Sequence, residues 1–225
     1  MPPVVIVAAH NEADRIGDTV LALADAFPGA EIVVADDASE DATSEVAAAN
    51  GARVVRGDRS VGKGGNVTRA VATVLEQAGA PTPPTFLLCD GDLGASARAL
   101  PRLVQAVEGG ECDLAIAVFA RRVGGGFGVA LRYARRAIER LCGYRATAPI
   151  SGQRAMTAEV LRAVYPFAAG FGMEIGITVD AVRAGHRVRE VELDLEHRAT
   201  HRTLAGFAHR ARQLRDFVRA YRSRR

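Results

Sequence analysis

Short apolar runs alternate with stretches of helical periodicity through the first half of the chain. The runs predict β-strands over Pro3–Ala9, Ala30–Ala35, Ala52–Arg56, Thr85–Cys89 and Asp113–Val118. The stretches between them predict amphipathic helices over Glu12–Phe27, Asp41–Asn50, Lys63–Gly79 and Ser96–Glu108. This alternation predicts a Rossmann-like α/β domain with a mainly parallel central sheet and helices on both faces. Ligands of such sheets bind at the carboxyl ends of the strands.

The second half of the chain is less regular. A rigid proline-rich connector at 79–84 and a glycine-rich loop at Val123–Gly128 interrupt the pattern, and a basic amphipathic helix follows to about Cys142. A helix is predicted from Gly170 to Ala184 and a strand over Arg187–Leu195. A basic helix is predicted over 203–225 from one apolar stripe, formed by Leu204, Phe207, Ala211, Leu214, Val218 and Tyr221. We find no repeat or dividing linker, so residues 1–225 are predicted to form a single domain.

The composition is that of an ordinary globular α/β domain, with 225 residues of which 48% are hydrophobic and 24% charged. No apolar run approaches the ~20 residues of a membrane-spanning helix. No signal-peptide pattern opens the chain, so we expect a cytoplasmic protein. Cys89, Cys112 and Cys142 are far apart in sequence and lack metal-ligand spacing, which predicts reduced thiols in the core.

The net charge is only +3, but basic residues concentrate at the C-terminal end of the chain. From His197 to Arg225 the only acidic residue is Asp216. Two interpretations of the basic helix over 203–225 stay open. It docks its apolar stripe on the domain, or it contacts anionic lipid at the inner face of the membrane. No nucleic-acid partner is expected, because neither an aromatic platform nor a known nucleic-acid-binding module accompanies the charge.

Two carboxylates follow the most apolar of the predicted strands. Asp90-Gly91-Asp92 comes directly after Phe86–Cys89, which places both acids at the carboxyl edge of the sheet. Carboxylates there can hold a hard divalent cation, Mg²⁺ or Mn²⁺, which in turn neutralises a diphosphate. Acidic turns after strands are common, so this triplet alone does not identify a function.

Two earlier strand ends carry residues suited to a nucleotide. Ala8-Ala-His-Asn-Glu12 combines small residues, which admit a ligand to the backbone, with a helix N-terminus, which favours an anion. Asp36-Asp-Ala-Ser39 offers carboxylates of the kind that bind a ribose or base. Each segment also has a purely structural interpretation, with Asn11, Ser39 or Asp41 acting as a helix cap.

Gly57–Gly65 nearly matches the phosphate-binding loop of P-loop nucleoside triphosphatases. Gly64 occupies the position of the hydroxyl residue that should bind magnesium, which argues against that class. Lys63 is the only lysine among 29 lysines and arginines, which suggests that this position requires a compact ammonium group. A sugar-1-phosphate nucleotidyltransferase would show a G-x-G-x-R loop after the first strand, where this chain has Ala8–Glu12.

Four of these segments together resemble the nucleotide-sugar half of family-2 glycosyltransferases of the GT-A fold: Val4–Glu12, Glu31–Ser39, Gly62-Lys-Gly64 and Asp90-Gly-Asp92. The resemblance continues through Ser151-Gly-Gln-Arg154 and Gly172-Met-Glu174-Ile. Among relatives the chain is similar to polyprenyl-phosphate sugar synthases and to glucosyl-3-phosphoglycerate synthases. The resemblance implies a nucleotide-sugar-binding half at 1–118, an acceptor-binding half at 119–202 and a basic helix at 203–225.

The resemblance also implies roles for individual residues. Asp92 would bind the metal, Mg²⁺ or Mn²⁺, with His197 or His201 completing its coordination. Glu174 would bind or deprotonate the acceptor and, with Asp92, form the catalytic pair, whereas Asp180 is expected to be structural. The nucleotide-sugar would contact Ala8, His10, Glu12, Asp37, Lys63, Asp90, Gly91, Arg154 and Arg198.

We therefore expect a metal-dependent glycosyltransferase that moves a sugar from a UDP- or GDP-sugar to an acceptor, such as a polyprenyl phosphate or a small phosphorylated metabolite. The alternatives are a P-loop-like nucleoside triphosphatase, a sugar-1-phosphate nucleotidyltransferase and a non-catalytic membrane-peripheral module. A phosphate acceptor arrives already ionised, so in that case Glu174 would position the acceptor rather than deprotonate it.

Overall fold

The computed structural model describes residues 1–76, 85–120, 128–195 and 215–225. The connector at 79–84 and most of the loop at 123–128 lie outside the described residues. So does the segment 196–214, which contains His197, Arg198 and His201.

The predicted α/β fold is confirmed. The strands are β1 (Val4–Ala9), β2 (Glu31–Asp36), β3 (Arg53–Arg56), β4 (Thr85–Asp90), β5 (Leu114–Phe119), β6 (Arg154–Thr157) and β7 (Val188–Leu193). Within the described ranges they form one sheet in the order β3-β2-β1-β4-β6-β5-β7. All neighbouring strands pair in parallel except β6, which is antiparallel to both β4 and β5.

Helices cover both faces of this sheet, as predicted. They are α1 (Ile16–Ala26), α2 (Thr43–Ala49), α3 (Lys63–Glu76), α4 (Pro101–Glu108), α5 (Val129–Cys142), α6 (Ala158–Val164) and α7 (Met173–Arg183). Alternate residues of β1 point to opposite faces, so Val5 and Val7 pack under α1 and α4, whereas Val4 and Ile6 pack under α3 and α7. Short 3₁₀ turns at Gly94–Ala99 and Gly170–Gly172 and a helix at 215–223 complete the described structure.

Three predicted helices start later than the periodicity indicated. Residues 12–15 form a turn in which the Ile16 amide donates to the Glu12 carbonyl at 2.8 Å, so α1 begins at Ile16. The Asp41 carboxylate accepts the Thr43 amide at 3.0 Å and stays outside α2. Pro101 divides the predicted helix Ser96–Glu108 into a 3₁₀ turn and α4, because proline has no amide hydrogen to donate to the preceding turn.

The strand β6 and the helix α6 were not predicted from the sequence. The strand is only four residues long and begins with a fully buried arginine, Arg154, so it lacks an apolar run. Its antiparallel direction matters for the site, because it brings the residues that precede it to the edge where β4 and β5 end.

The C-terminal helix (215–223) docks on the domain. Phe217 is fully buried against Ile175 and Val179 of α7, and Arg224 makes an ion pair with Asp180 at 2.5 Å. The docked interpretation therefore holds for this part of the basic segment, and Asp180 is structural as expected. Among the described residues, no helix combines the length and apolar character needed to span a bilayer.

Replacing Arg224 by Gln should lower the free energy of unfolding by about 1–2 kcal/mol, because three charge-assisted hydrogen bonds to Asp180 are lost. Urea denaturation measures the change. Arg225→Gln is the matched control, since Arg225 is exposed and next in sequence. Equal stability of the two variants would show that this ion pair does not anchor the helix.

Candidate active site

The site forms where the parallel strands end. Ala8 of β1 lies opposite Asp90 of β4, and the Gly91 amide donates to the Ala8 carbonyl at 2.9 Å. A Cβ at Gly91 would lie 3.1 Å from the Ile16 side chain and 3.3 Å from the Ala8 carbonyl oxygen. A small residue is therefore required at position 91, and the chain turns sharply to present Asp92 at the edge.

Lys63 joins the two halves of the site. Its ammonium nitrogen lies 2.5 Å from Asp90 Oδ1 and 2.8 Å from Glu174 Oε1. Glu174 is buried, with 4% of its side chain exposed, and Lys63 is 16% exposed. Burial alone would lower the pKa of Lys63, but the charges of Asp90 and Glu174 outweigh it and hold that pKa above its ordinary value. Lys63 therefore stays protonated at physiological pH and acts as a fixed cation.

Gln153 completes the surroundings of Asp90 and was missed by the sequence analysis. Its amide Nε2 donates to Asp90 Oδ2 at 2.8 Å, so both oxygens of Asp90 are engaged. A Cβ at Gly152 would lie 2.5 Å from both Asp90 Oδ2 and Lys63 Nζ, so a larger residue there would displace this pair. The segment Ser151-Gly-Gln-Arg154 was recognised, but only its arginine was chosen as a candidate.

Asp37 fixes the loop that leads to Lys63. Its carboxylate accepts hydrogen bonds from Ser60 Oγ at 2.7 Å, the Val61 amide at 2.8 Å and the Gly62 amide at 2.9 Å. The residue is buried, with 6% of its surface exposed. The described structure thus uses Asp37 to hold residues 60–62, and its contact with a ribose or base stays a prediction.

The loops after β1 and β2 are joined to each other. The Asn11 side chain accepts the Glu40 amide at 2.8 Å, and the Asn11 amide donates to Ser39 Oγ at 2.9 Å. Asn11 therefore bridges the two loops instead of capping its own helix, with a φ of 56°. His10 is exposed and its Nδ1 lies 3.0 Å from the Asp37 carbonyl oxygen, which places it above the same edge. The Glu12 amide donates to Thr43 Oγ1 at 2.9 Å.

Glu174 enters the site because α3 and the turn before α7 approach each other closely. A Cβ at Gly64 would lie 1.9 Å from the Ala168 carbonyl oxygen, and one at Gly62 would lie 3.2 Å from Gly170 Cα. Gly64 is therefore required for packing at the position where a P-loop protein needs a hydroxyl. This contact and the pairing of Lys63 with two carboxylates exclude the P-loop interpretation.

The guanidinium of Arg154 is fully buried beside the site. It donates to the Ser151 carbonyl at 2.8 Å and to Thr178 Oγ1 at 2.9 Å, and none of its surface is exposed. Burial lowers its pKa to about 10, partly offset by the charge of Glu174. Arg154 is thus a buried second cation near Glu174, and its contact with the nucleotide-sugar stays a prediction.

Asp92 is half-buried at the open side of the edge. A cleft of about 600 Å³ continues beyond it to the end of β7, lined by Asp14, Arg15, Asp18, Leu93, Gly94, Ala95, Ser96 and Asp194. No group of three or more metal-ligating side chains occurs among the residues that the structure describes. Mg²⁺ commonly takes only one or two protein carboxylates and completes its shell with phosphate oxygens and water, and the role of Asp92 as its ligand stays a prediction.

Three comparisons with known proteins agree with this geometry. Residues 4–170 match the family model described as glycosyl transferase family 2. The chain is 29% identical to an undecaprenyl-phosphate mannosyltransferase of Micrococcus luteus over 86% of this chain and 83% of that protein.

It is also similar to structures of glucosyl-3-phosphoglycerate synthase from Mycobacterium tuberculosis. The complex with Mn²⁺, UDP and phosphoglyceric acid is 27% identical, with a TM-score of 0.76 over 98% of this chain and 78% of that chain. The complex with Mn²⁺, UDP-glucose and glycerol 3-phosphate is 26% identical, with a TM-score of 0.72 over 97% and 80%.

Replacing Lys63 by Met should lower the free energy of unfolding by about 3–5 kcal/mol, because Glu174 is left as a buried carboxylate without the ammonium of Lys63. Adding Glu174→Gln should recover about 1–3 kcal/mol of that loss in a double-mutant cycle measured by urea denaturation. The stabilisation that Lys63 adds to the free energy of unfolding is fully present below about pH 10.5. It is lost only as the pH rises through the raised pKa of Lys63 in the folded state.

The control for this cycle is Arg98→Met. Arg98 makes a similarly short ion pair with Asp25, at 2.7 Å, but both side chains are more than half exposed. Loss of this exposed ion pair should lower the free energy of unfolding by less than about 1 kcal/mol. If Lys63→Met cost no more than Arg98→Met, the lysine would not be the link between the two halves of the site.

Proposed function

Because the chain belongs to glycosyltransferase family 2, we propose that this glycosyltransferase is metal-dependent and transfers a sugar from a UDP- or GDP-sugar to a phosphorylated acceptor. One observation carries the proposal: Lys63 holds Asp90 and Glu174 together beside Asp92 at the carboxyl edge of the sheet. Donor-side and acceptor-side carboxylates thereby meet at one place, as a transfer between two bound substrates requires.

The donor would lie along the ends of β1, β2 and β4. Ala8, Gly91 and His10 border the open backbone there, and Glu12 and Asp37 line the same edge. The UDP and UDP-glucose complexes of the mycobacterial synthase support a nucleoside-diphosphate donor, and the similarity to a mannosyltransferase keeps a mannose donor open. The assignment of the base contacts to Asp37 and Glu12 is part of this proposal.

A divalent cation would be held by Asp92, with Asp90 nearby but engaged by Lys63 and Gln153. Bound there, Mg²⁺ or Mn²⁺ would neutralise the charge that develops on the leaving diphosphate. The Mn²⁺ complexes of the mycobacterial synthase support this choice of metal for a similar fold. His197 stays a predicted further ligand, and Arg198 a predicted phosphate contact.

For the acceptor we favour a lipid phosphate. In the reaction the bond between the anomeric carbon and the diphosphate oxygen breaks, and a bond to an acceptor oxygen forms. Glu174 is buried and ion-paired with Lys63 at 2.8 Å, so its carboxylate is already engaged by an ammonium group. A phosphate oxygen needs no base, which suits this arrangement, and the similarity to the undecaprenyl-phosphate mannosyltransferase supports the same class. A phosphoglycerate-type acceptor is the second candidate, supported by the structural similarity.

Replacing Asp92 by Asn should weaken the Mn²⁺-dependent binding of UDP or GDP by on the order of 100-fold, because a metal-binding carboxylate is lost. Calorimetric titration with Mn²⁺ and then with a chelator measures it, and also shows which nucleotide binds. Asp25→Asn, an exposed carboxylate on α1, is the control and should not change binding. Full nucleotide binding in the chelator, or tight binding of ATP instead, would contradict the proposal.

Replacing Glu174 by Gln should lower kcat for a polyprenyl phosphate by no more than about tenfold, because the amide still fills the position and no proton is removed. For a hydroxyl acceptor such as 3-phosphoglycerate, the same substitution should lower kcat on the order of 1000-fold, because a general base is lost. Transfer from labelled donor to each acceptor distinguishes the two candidates. A loss of that larger size with polyprenyl phosphate would overturn the positioning role.

A further inference from the structure

Two helices on one side of the molecule carry rows of outward-facing arginines. On α5 these are Arg132, Arg136 and Arg140, each four residues apart and exposed. On the C-terminal helix they are Arg215, Arg219 and Arg222, four and three residues apart. Residues with these spacings share one helix face, so each set forms a continuous row. We refer to both together as the double arginine row.

The two rows lie side by side. Tyr133 of α5 and Tyr221 of the C-terminal helix meet edge to face, with ring centroids 6.5 Å apart. Burial raises the pKa of Tyr133, and the charges of Arg140 and Arg222 act on the same phenol in the opposite direction. One arginine from each row therefore lies near this tyrosine pair, and the rows form a single basic surface with an aromatic ridge.

The inner side of the C-terminal helix fixes the orientation of this surface. Phe217 is fully buried and Ala220 nearly so, and Arg224 is held by Asp180. The helix therefore cannot rotate its arginines inward without exposing its core contacts. Within residues 129–142 and 215–225 the only acidic residues are Glu139 and Asp216.

Both of these acids are engaged. Glu139 pairs with Arg145 at 3.0 Å, and Asp216 accepts the Phe171 amide at 3.3 Å and lies 3.7 Å from Arg215. The surface as a whole is therefore strongly positive.

We propose that the double arginine row, with Tyr133 and Tyr221, docks the protein on an anionic lipid bilayer. Guanidinium groups attract anionic headgroups, and tyrosine suits the interface because its ring is apolar and its hydroxyl polar. A bilayer is favoured over nucleic acid because the two rings pack edge to face and do not form a row of parallel rings on which successive bases could stack.

Docking in this way would place the active site near the membrane. Asp216 lies beside Phe171, and Arg224 beside Asp180, so the C-terminal helix runs along α7 in the same direction. Arg215, the first described residue of this helix, therefore lies at the end where α7 carries Glu174. The functional reason for docking rests on the proposed lipid-phosphate acceptor. The residues that form the basic surface, however, lie outside the active site.

The test is co-sedimentation of the full chain with vesicles of phosphatidylcholine, alone or mixed with phosphatidylglycerol, in the absence of nucleotide. The triple variant Arg136→Gln, Arg140→Gln and Arg222→Gln should partition on the order of 100-fold more weakly onto the anionic vesicles, taking about fivefold for each arginine. The matched control, Arg98→Gln, Arg102→Gln and Arg162→Gln, removes the same charge from other surfaces and should bind like the original protein.

A fluorescence measurement reports the orientation directly, because the chain has no tryptophan. Tyr221→Trp should show a blue-shifted emission on adding anionic vesicles, as its ring enters the interface. Leu21→Trp is the control, since Leu21 is 48% exposed on α1, which packs on the opposite face of the sheet. Its emission should not shift.

Equal binding of the triple variant and its control would overturn the proposal, as would equal binding to neutral and anionic vesicles. Binding of single-stranded RNA that displaces the protein from vesicles at equal charge concentration would assign the surface to nucleic acid instead. Metal-dependent nucleotide binding, measured on the same variants, separates these outcomes from a failure of the proposed reaction. It should be unchanged in the triple variant, which leaves the site residues intact.

Discussion

The structure depends on one shared ammonium group. Lys63 begins α3 and pairs with Asp90 at the end of β4 and with Glu174 at the start of α7, at 2.5 and 2.8 Å. Two carboxylates so close together, one of them buried, would repel each other without a cation between them. The ammonium therefore holds the strand half and the helical half of the site together.

Several glycines serve this one interaction. Gly62 and Gly64 let the start of α3 approach the turn at residues 168–170, and Gly152 lets β6 begin beside Asp90. Gly170 has a φ of 57° and lies against Asp216, so the C-terminal helix contacts the same turn from the other side. The position of Glu174 thus depends on a continuous set of contacts that extends from the carboxyl edge of the sheet to the double arginine row.

The charge balance of the site is consistent with the chemistry we propose. Asp90 and Glu174 face Lys63, and Arg154 lies behind Glu174, so the two anions are matched by two cations. Such a site is suited to positioning charged substrates. Asp92 follows Asp90 at the same edge, and its role as the metal ligand is part of the proposal.

The sequence alone determined the alternation of strands and helices, the direction of most of the sheet and the set of acids at its carboxyl edge. These features are local: each depends on periodicity within a few residues or on where an apolar run stops. The partners of Lys63, the burial of Arg154 and the role of Gln153 were decided by the tertiary structure. The last two depend on β6, a four-residue strand without an apolar run, whose antiparallel insertion brings residues 151–154 against β4. Contacts between residues 63, 90 and 174 arise from chain topology, which no short window of sequence contains.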